Sequence, residues 1–172
     1  MSRTIYMKTI ILPGFSVHNK VWAEKAADFL GKEAFVHNWL HWENGKYNLN
    51  LKEELKNILK EIGDEKVNII AKSVGTMVCM HLLKVIPNKM GKVILCGIPS
   101  VSEERKKLFA TSLSGFNPIN IIVFQNTKDP FAGFEEVKKF MQEVNSKIKV
   151  IEKERLDHNY PYFEDFKNYL IS

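Results

Sequence analysis

Hydrophobic and polar positions divide this chain into short apolar runs separated by longer stretches with helical spacing. Residues 4–12 form a β-rich run that stops at Pro13-Gly14, a turn signal. Over residues 20–30, Val21, Trp22, Ala26, Phe29 and Leu30 recur at intervals that line one face of a helix, and Gly31 can close it. Residues 34–42 read as a second strand, rich in aromatics. Leu51, Leu55, Ile58, Leu59 and Ile62 then make a single helical stripe over residues 49–62, ended by Gly63. A third strand over 66–72 runs into a tight turn and a helix from about 75 to 86, which Pro87 cannot continue. The remaining pattern predicts strands over 92–97, 119–125 and 147–151 and helices over 100–113, 134–144 and 162–170. The strand over 92–97 is apolar on both faces, as the middle of a covered parallel sheet must be.

Strands alternating with helices in this way predict an α/β protein, a three-layer α/β/α arrangement with a six-stranded, mostly parallel sheet. At 172 residues the chain suits one domain spanning 1–172, and no repeat or linker divides it. The 45% apolar and 26% charged composition is that of a soluble protein, and no run approaches the roughly 20 apolar residues of a membrane span. The expectation is a cytoplasmic protein without membrane association, monomeric or a homodimer. The net charge of +5 raises the question of nucleic acid, but the lysines are scattered without an arginine-rich cluster, which argues for a solvated basic surface and no nucleic-acid partner. Cys79 and Cys96, without C-x-x-C spacing, read as free thiols rather than a metal site or a disulfide. No metal or other cofactor is implied.

In parallel sheets ligands bind beyond the carboxyl ends of the strands, so the polar residues at those ends carry the chemical question. They are Pro13-Gly14-Phe15 after the first strand, Ser73 after the third, Asp129 after the fifth and His158 after the sixth. Each has a simpler reading. A serine between strand and helix can be an N-cap, Asp129 before Pro130 a turn residue, and a histidine near the end of the chain structural or solvated. Their joint occurrence, in the order serine, acid, histidine, points to a nucleophile, an orienting acid and a base.

With Leu-Pro-Gly-Phe-Ser at 12–16, Ala-Lys-Ser-Val-Gly at 71–75, Asn-Thr-Lys-Asp-Pro at 126–130 and Leu-Asp-His-Asn-Tyr at 156–160, the sequence resembles the α/β-hydrolase family over nearly its whole length. It looks most like the small, lidless, esterase-like members. The resemblance implies a Ser73–His158–Asp129 triad and an oxyanion hole formed by the backbone N–H groups of Phe15 and Val74. The expected reaction is hydrolysis of a small ester, thioester or amide through an acyl-enzyme, with a small-molecule acyl substrate as partner. Ala71 replaces the first glycine of the G-x-S-x-G turn. Lys72 either extends to solvent or points into the site, where it would favour an anionic substrate. Glu103 and Glu104 rival Asp129 as the acid, and Asp157 ranks below it. Gly14, His18 and Trp42 are candidate substrate contacts, with Trp39, His41 and Trp42 open to lining an apolar cleft. The competing function is a catalytically inactive binding or interaction module on the same fold. Between Pro99 and Pro118 there is no room for a large cap, so the site is expected to be open.

Overall fold

The computed structural model describes residues 7–172; the part of the first expected strand at residues 4–6 lies outside them. Six strands, β1 (Lys8–Leu12), β2 (Ala34–Val36), β3 (Val67–Lys72), β4 (Met90–Cys96), β5 (Ile121–Asn126) and β6 (Lys149–Lys153), make one sheet in the order β2-β1-β3-β4-β5-β6. Every pairing is parallel. The helices are α1 (Asn19–Leu30), α2 (Leu40–Asn44), α3 (Leu51–Ile62), α4 (Val74–Val85), α5 (Glu103–Leu113), α6 (Phe134–Asn145) and α7 (Phe163–Ile171).

The period-2 alternation of the strands sorts their side chains onto two cores. Leu12, Ile69, Ala71, Leu95 and Val123 face one layer, where α3, α4, α5 and α6 contribute Ile58, Val78, Phe109 and Phe140. Ile11, Ile70, Ile94, Cys96 and Phe124 face the other, covered by Trp22 and Ala26 of α1 and Phe166 and Leu170 of α7. The architecture is therefore three-layer α/β/α. Burial on both faces explains why β3 and β5 are buried at every residue.

Two local signals set the helix starts most clearly. The Asn50 side chain accepts from Glu53 N–H ahead of α3, and Ser102 accepts from Arg105 N–H ahead of α5, each such cap contributing about 1 kcal/mol. The expected second strand is shorter than its aromatics suggested. It ends at Val36, and residues 40–44 turn into α2, closed by Gly45 in the left-handed region at φ 66°. The cause is a competing set of bonds: the Leu40 N–H goes to the buried carboxylate of Glu54 at 2.8 Å, and Trp39, His41 and Trp42 spend their ring nitrogens on the turn after β1.

The strand order reverses direction between β1 and β3, because the chain leaves β1 towards β2 and returns to place β3 on the other side. A crevice opens at such a switch point. Pro13–Phe15 and Ser73 lie at its two sides, since Leu12 is paired with Ala71. No helix among the described residues is long and apolar enough to cross a membrane.

Candidate active site

Ser73 stands at the corner between β3 and α4 with φ 55° and ψ −119°, the only non-glycine with positive φ among the described residues. Such a backbone costs about 1–3 kcal/mol and persists only where its surroundings enforce it. Those surroundings are visible. The Ser73 N–H donates to Cys96 O on β4 at 3.0 Å, and the Ser73 carbonyl accepts from Thr76 N–H at 2.9 Å and from the Thr76 hydroxyl at 2.6 Å. A Cβ on Gly75 would sit 2.2 Å from Leu12 O, so only glycine lets α4 start this close to the end of β1. Ala71, by contrast, fits at its position, fully buried in the core. Ser73 itself is half-buried and not sealed by its own chain. The segment between Pro99 and Pro118 instead forms α5, which packs beside α4 and α6, with Phe109 edge-on to Phe140.

His158 reaches the same place from the loop after β6. A Cβ on Gly97, at the end of β4 with φ 63°, would lie 2.9 Å from His158 Cε1 and 2.6 Å from Tyr160 Cε2. The imidazole thus rests against the backbone one residue beyond Cys96, whose carbonyl holds Ser73. Its Nδ1 is 2.6 Å from Asp129 Oδ2, and its Nε2 is buried without a hydrogen-bond partner among the described residues. Phe131 packs edge-on to the ring at a centroid distance of 4.7 Å.

Asp129 is 5% exposed and carries three donors: His158, the Tyr160 hydroxyl to Oδ2 at 2.6 Å, and the Phe131 N–H to Oδ1 at 2.9 Å. Burial alone would raise its pKa, but these hydrogen bonds outweigh it and hold the carboxyl below its ordinary range. The rivals are engaged elsewhere. Glu103 is exposed and bonded to Lys106, Glu104 is exposed on α5, and Asp157 is bound in a fork by Arg155 at 2.9 and 2.6 Å.

The turn after β1 is held from both sides of the sheet. On one, Trp39 Nε1 donates to Gly14 O at 3.1 Å and to Pro13 O at 3.3 Å, while Trp42 Nε1 and His41 Nε2 meet Phe15 O at 2.8 and 2.7 Å. On the other, the Asn19 amide donates to Ser16 O at 3.0 Å and packs so tightly under Gly14 that a Cβ there would lie 2.6 Å from Asn19 Oδ1. The N–H groups of Phe15 and Val74 donate to no other group among the described residues.

Neither expectation for Lys72 holds. It is 5% exposed and points away from the cleft into the α1 layer, where Nζ donates to Asn19 Oδ1 at 2.5 Å and sits 5.4 Å from the centre of the Trp22 ring. The period-2 alternation explains this, because Lys72 shares the face of Ile70. Burial lowers its pKa, against the opposing pull of Cys96, Asp129 and Asp157. Trp42 packs half-buried against the core, its indole N–H committed to Phe15 O; Gly14 is buried, and His18 is exposed at the start of α1. Trp39 is fully buried. Sequence reasoning gave neither Tyr160 nor Asn19 a role in the site. Tyr160 carried one signal, an aromatic with a polar handle two residues past the histidine; Asn19 carried none.

A family model for the alpha/beta hydrolase fold matches residues 22–143, and the chain belongs to that family. The match stops short of both the Pro13–Phe15 turn and His158. No curated protein matches the chain. Among solved structures, an alpha-beta serine hydrolase homologue from Coxiella burnetii is 19% identical with a TM-score of 0.69, covering 96% of this chain and 83% of its own. Alpha/beta hydrolase domain-containing protein 10 from mouse is 13% identical, TM-score 0.62, covering 95% and 86%. An esterase from a marine microorganism is 14% identical, TM-score 0.59, covering 95% and 92%. Identities this low bear on the fold alone.

Proposed function

We propose that this protein is a serine hydrolase that cleaves a small carboxylic ester, thioester or amide through an acyl-enzyme. The observation that carries the reading is the His158 imidazole, fixed through Nδ1 by a buried aspartate and with Nε2 unpartnered among the described residues, resting against Gly97, the residue after the Cys96 whose carbonyl holds the strained Ser73 corner. In this mechanism Ser73 Oγ attacks the acyl carbonyl while His158 Nε2 accepts its proton, and Asp129 holds the ring and stabilises the imidazolium. The tetrahedral oxyanion is bound by the N–H groups of Phe15 and Val74. The proton on Nε2 then passes to the leaving group, the acyl–serine ester forms, and water activated by the same imidazole hydrolyses it. No cofactor takes part.

A second reading, a non-catalytic binding module, draws on the same Nε2, which makes no hydrogen bond to Ser73. Free enzymes often hold this bond long until substrate arrives, so its absence does not count against the first reading. Labelling with a fluorophosphonate probe decides between them. Wild-type protein is expected to label, and the Ser73→Ala and His158→Ala variants to lose labelling; a folded wild type that never labels supports the binding module.

A further inference from the structure

We infer that Trp39 is a positioning residue for the oxyanion hole, setting the direction of the Phe15 N–H through the peptide plane that precedes it. The inference rests on the serine-hydrolase reading. Within a trans peptide, the carbonyl of one residue and the N–H of the next lie in one plane and point in opposite directions. No cis peptide occurs among the described residues, so fixing Gly14 O fixes the Phe15 N–H. Trp39 does so from below: it is fully buried in the core beside α3 and α4, and its Nε1 is 3.1 Å from Gly14 O. The Phe15 N–H is therefore turned away from the indole and out of the core, at the end of a strand whose last carbonyl touches the start of α4.

The indole is in turn held rigidly. Its ring meets His37 edge-on at a centroid distance of 4.9 Å, and His37 is gripped by Glu54 at 2.8 Å and Glu61 at 2.9 Å. The next residue, Leu40, is tied by its N–H to the same Glu54. A donor that must be ready before charge develops needs a supporting shell of this kind, since a preorganised dipole stabilises the transition state without moving at the moment of reaction.

Trp42 supplies the internal comparison. Its Nε1 binds Phe15 O, which belongs to the following plane and aims the N–H of Ser16, not that of Phe15. Both indoles anchor the same turn, but only Trp39 acts on the plane that contains the proposed donor. Because Trp39 is fully buried and Trp42 only half-buried, merely structural roles would separate the two in stability, whereas the positioning role separates them in kcat of the folded enzyme.

The test compares Trp39→Phe with Trp42→Phe in hydrolysis of p-nitrophenyl acetate, after wild-type activity and its loss in Ser73→Ala have been established. For Trp39→Phe we expect kcat to fall between about 10- and 100-fold with KM within about twofold, because a donor left without its fixed direction loses most where charge develops, in the transition state, and least against the neutral ground-state carbonyl. For Trp42→Phe the fall in kcat is several-fold smaller. If Trp39→Phe does not fold, site-specific replacement of Trp39 by 3-benzothienylalanine keeps the indole shape and deletes the donor. Equal losses in the two variants, no loss at Trp39, or a rise in KM alone each overturn the inference while leaving the triad reading intact. Wild type without Ser73-dependent hydrolysis overturns that reading instead, and the inference with it.

Discussion

Asp129 is held by three donors of different kinds: an imidazole, a phenol and a backbone amide. The phenol is the one that mutagenesis can remove without touching the proposed proton path. Tyr160→Phe leaves the ring against Gly97 but deprives the carboxylate of one charge-assisted bond, and Asn126 N–H of its acceptor. We expect a stability loss of about 2 kcal/mol at neutral pH, measured by urea unfolding. A depressed carboxylate pKa contributes stability above the unfolded value of about 3.9, lost as the pH falls through the folded value. The gap between the two proteins should therefore close on acidification. A constant gap would place the cost in packing instead. Sequence pointed to Ser73, Asp129 and His158 because each follows a strand that the apolar pattern marks, Ser73 directly and the other two a few residues on, and the fold brings Asp129 and His158 into hydrogen-bond contact. Tyr160 escaped because its role depends on which residue the fold brings opposite, and no local pattern encodes that.

At the scale of elements, the buried pair of Glu54 on α3 and His37 after β2 joins a helix to the end of a three-residue edge strand that pairs on one side only, with β1. Burial would push the imidazole down, but its hydrogen bonds to Glu54 and Glu61 prevail and raise its pKa. A raised base contributes stability that is complete below the unfolded value of about 6.5 and is lost as the pH rises through the folded one. Glu54→Gln keeps the acceptor for Leu40 N–H but weakens the pull on the proton. The variant should be less stable by about 1–3 kcal/mol near pH 6, with the deficit shrinking at higher pH. Thermal melts of both proteins across that range check it, and a deficit that grows with pH contradicts the assignment. The same region marks where pattern failed. The helices of strong amphipathic spacing, such as α3, lie within two residues of their expected bounds, whereas Trp39–Trp42 read as strand because aromatics favour strands. What overrode propensity was the demand of three carbonyls in a distant turn for donors. Lys72 failed for the opposite reason: its charge suggested solvent or cleft, yet its register in β3 dictated the buried α1 face.

Across the whole molecule, the two thiols report on the two cores separately, Cys79 on the α3–α6 side and Cys96 on the α1–α7 side. Burial pushes the Cys79 thiol far up and that of Cys96 to about 12, despite the opposing charge of Lys72. Both should resist a neutral thiol reagent in the folded protein and react together once it unfolds. One thiol reacting well before the other would reveal that a single layer opens alone. The sheet that separates these layers also gathers the site from far along the chain: the Phe15 turn lies beyond β1, Ser73 beyond β3, Asp129 beyond β5 and His158 beyond β6. Modularity is the casualty of this layout. No contiguous half of the chain holds the proposed nucleophile, base and oxyanion turn together, so on that reading the chemistry cannot be excised, shuffled or inherited piecemeal, and evolution can tinker with its parts only while the entire sheet remains assembled.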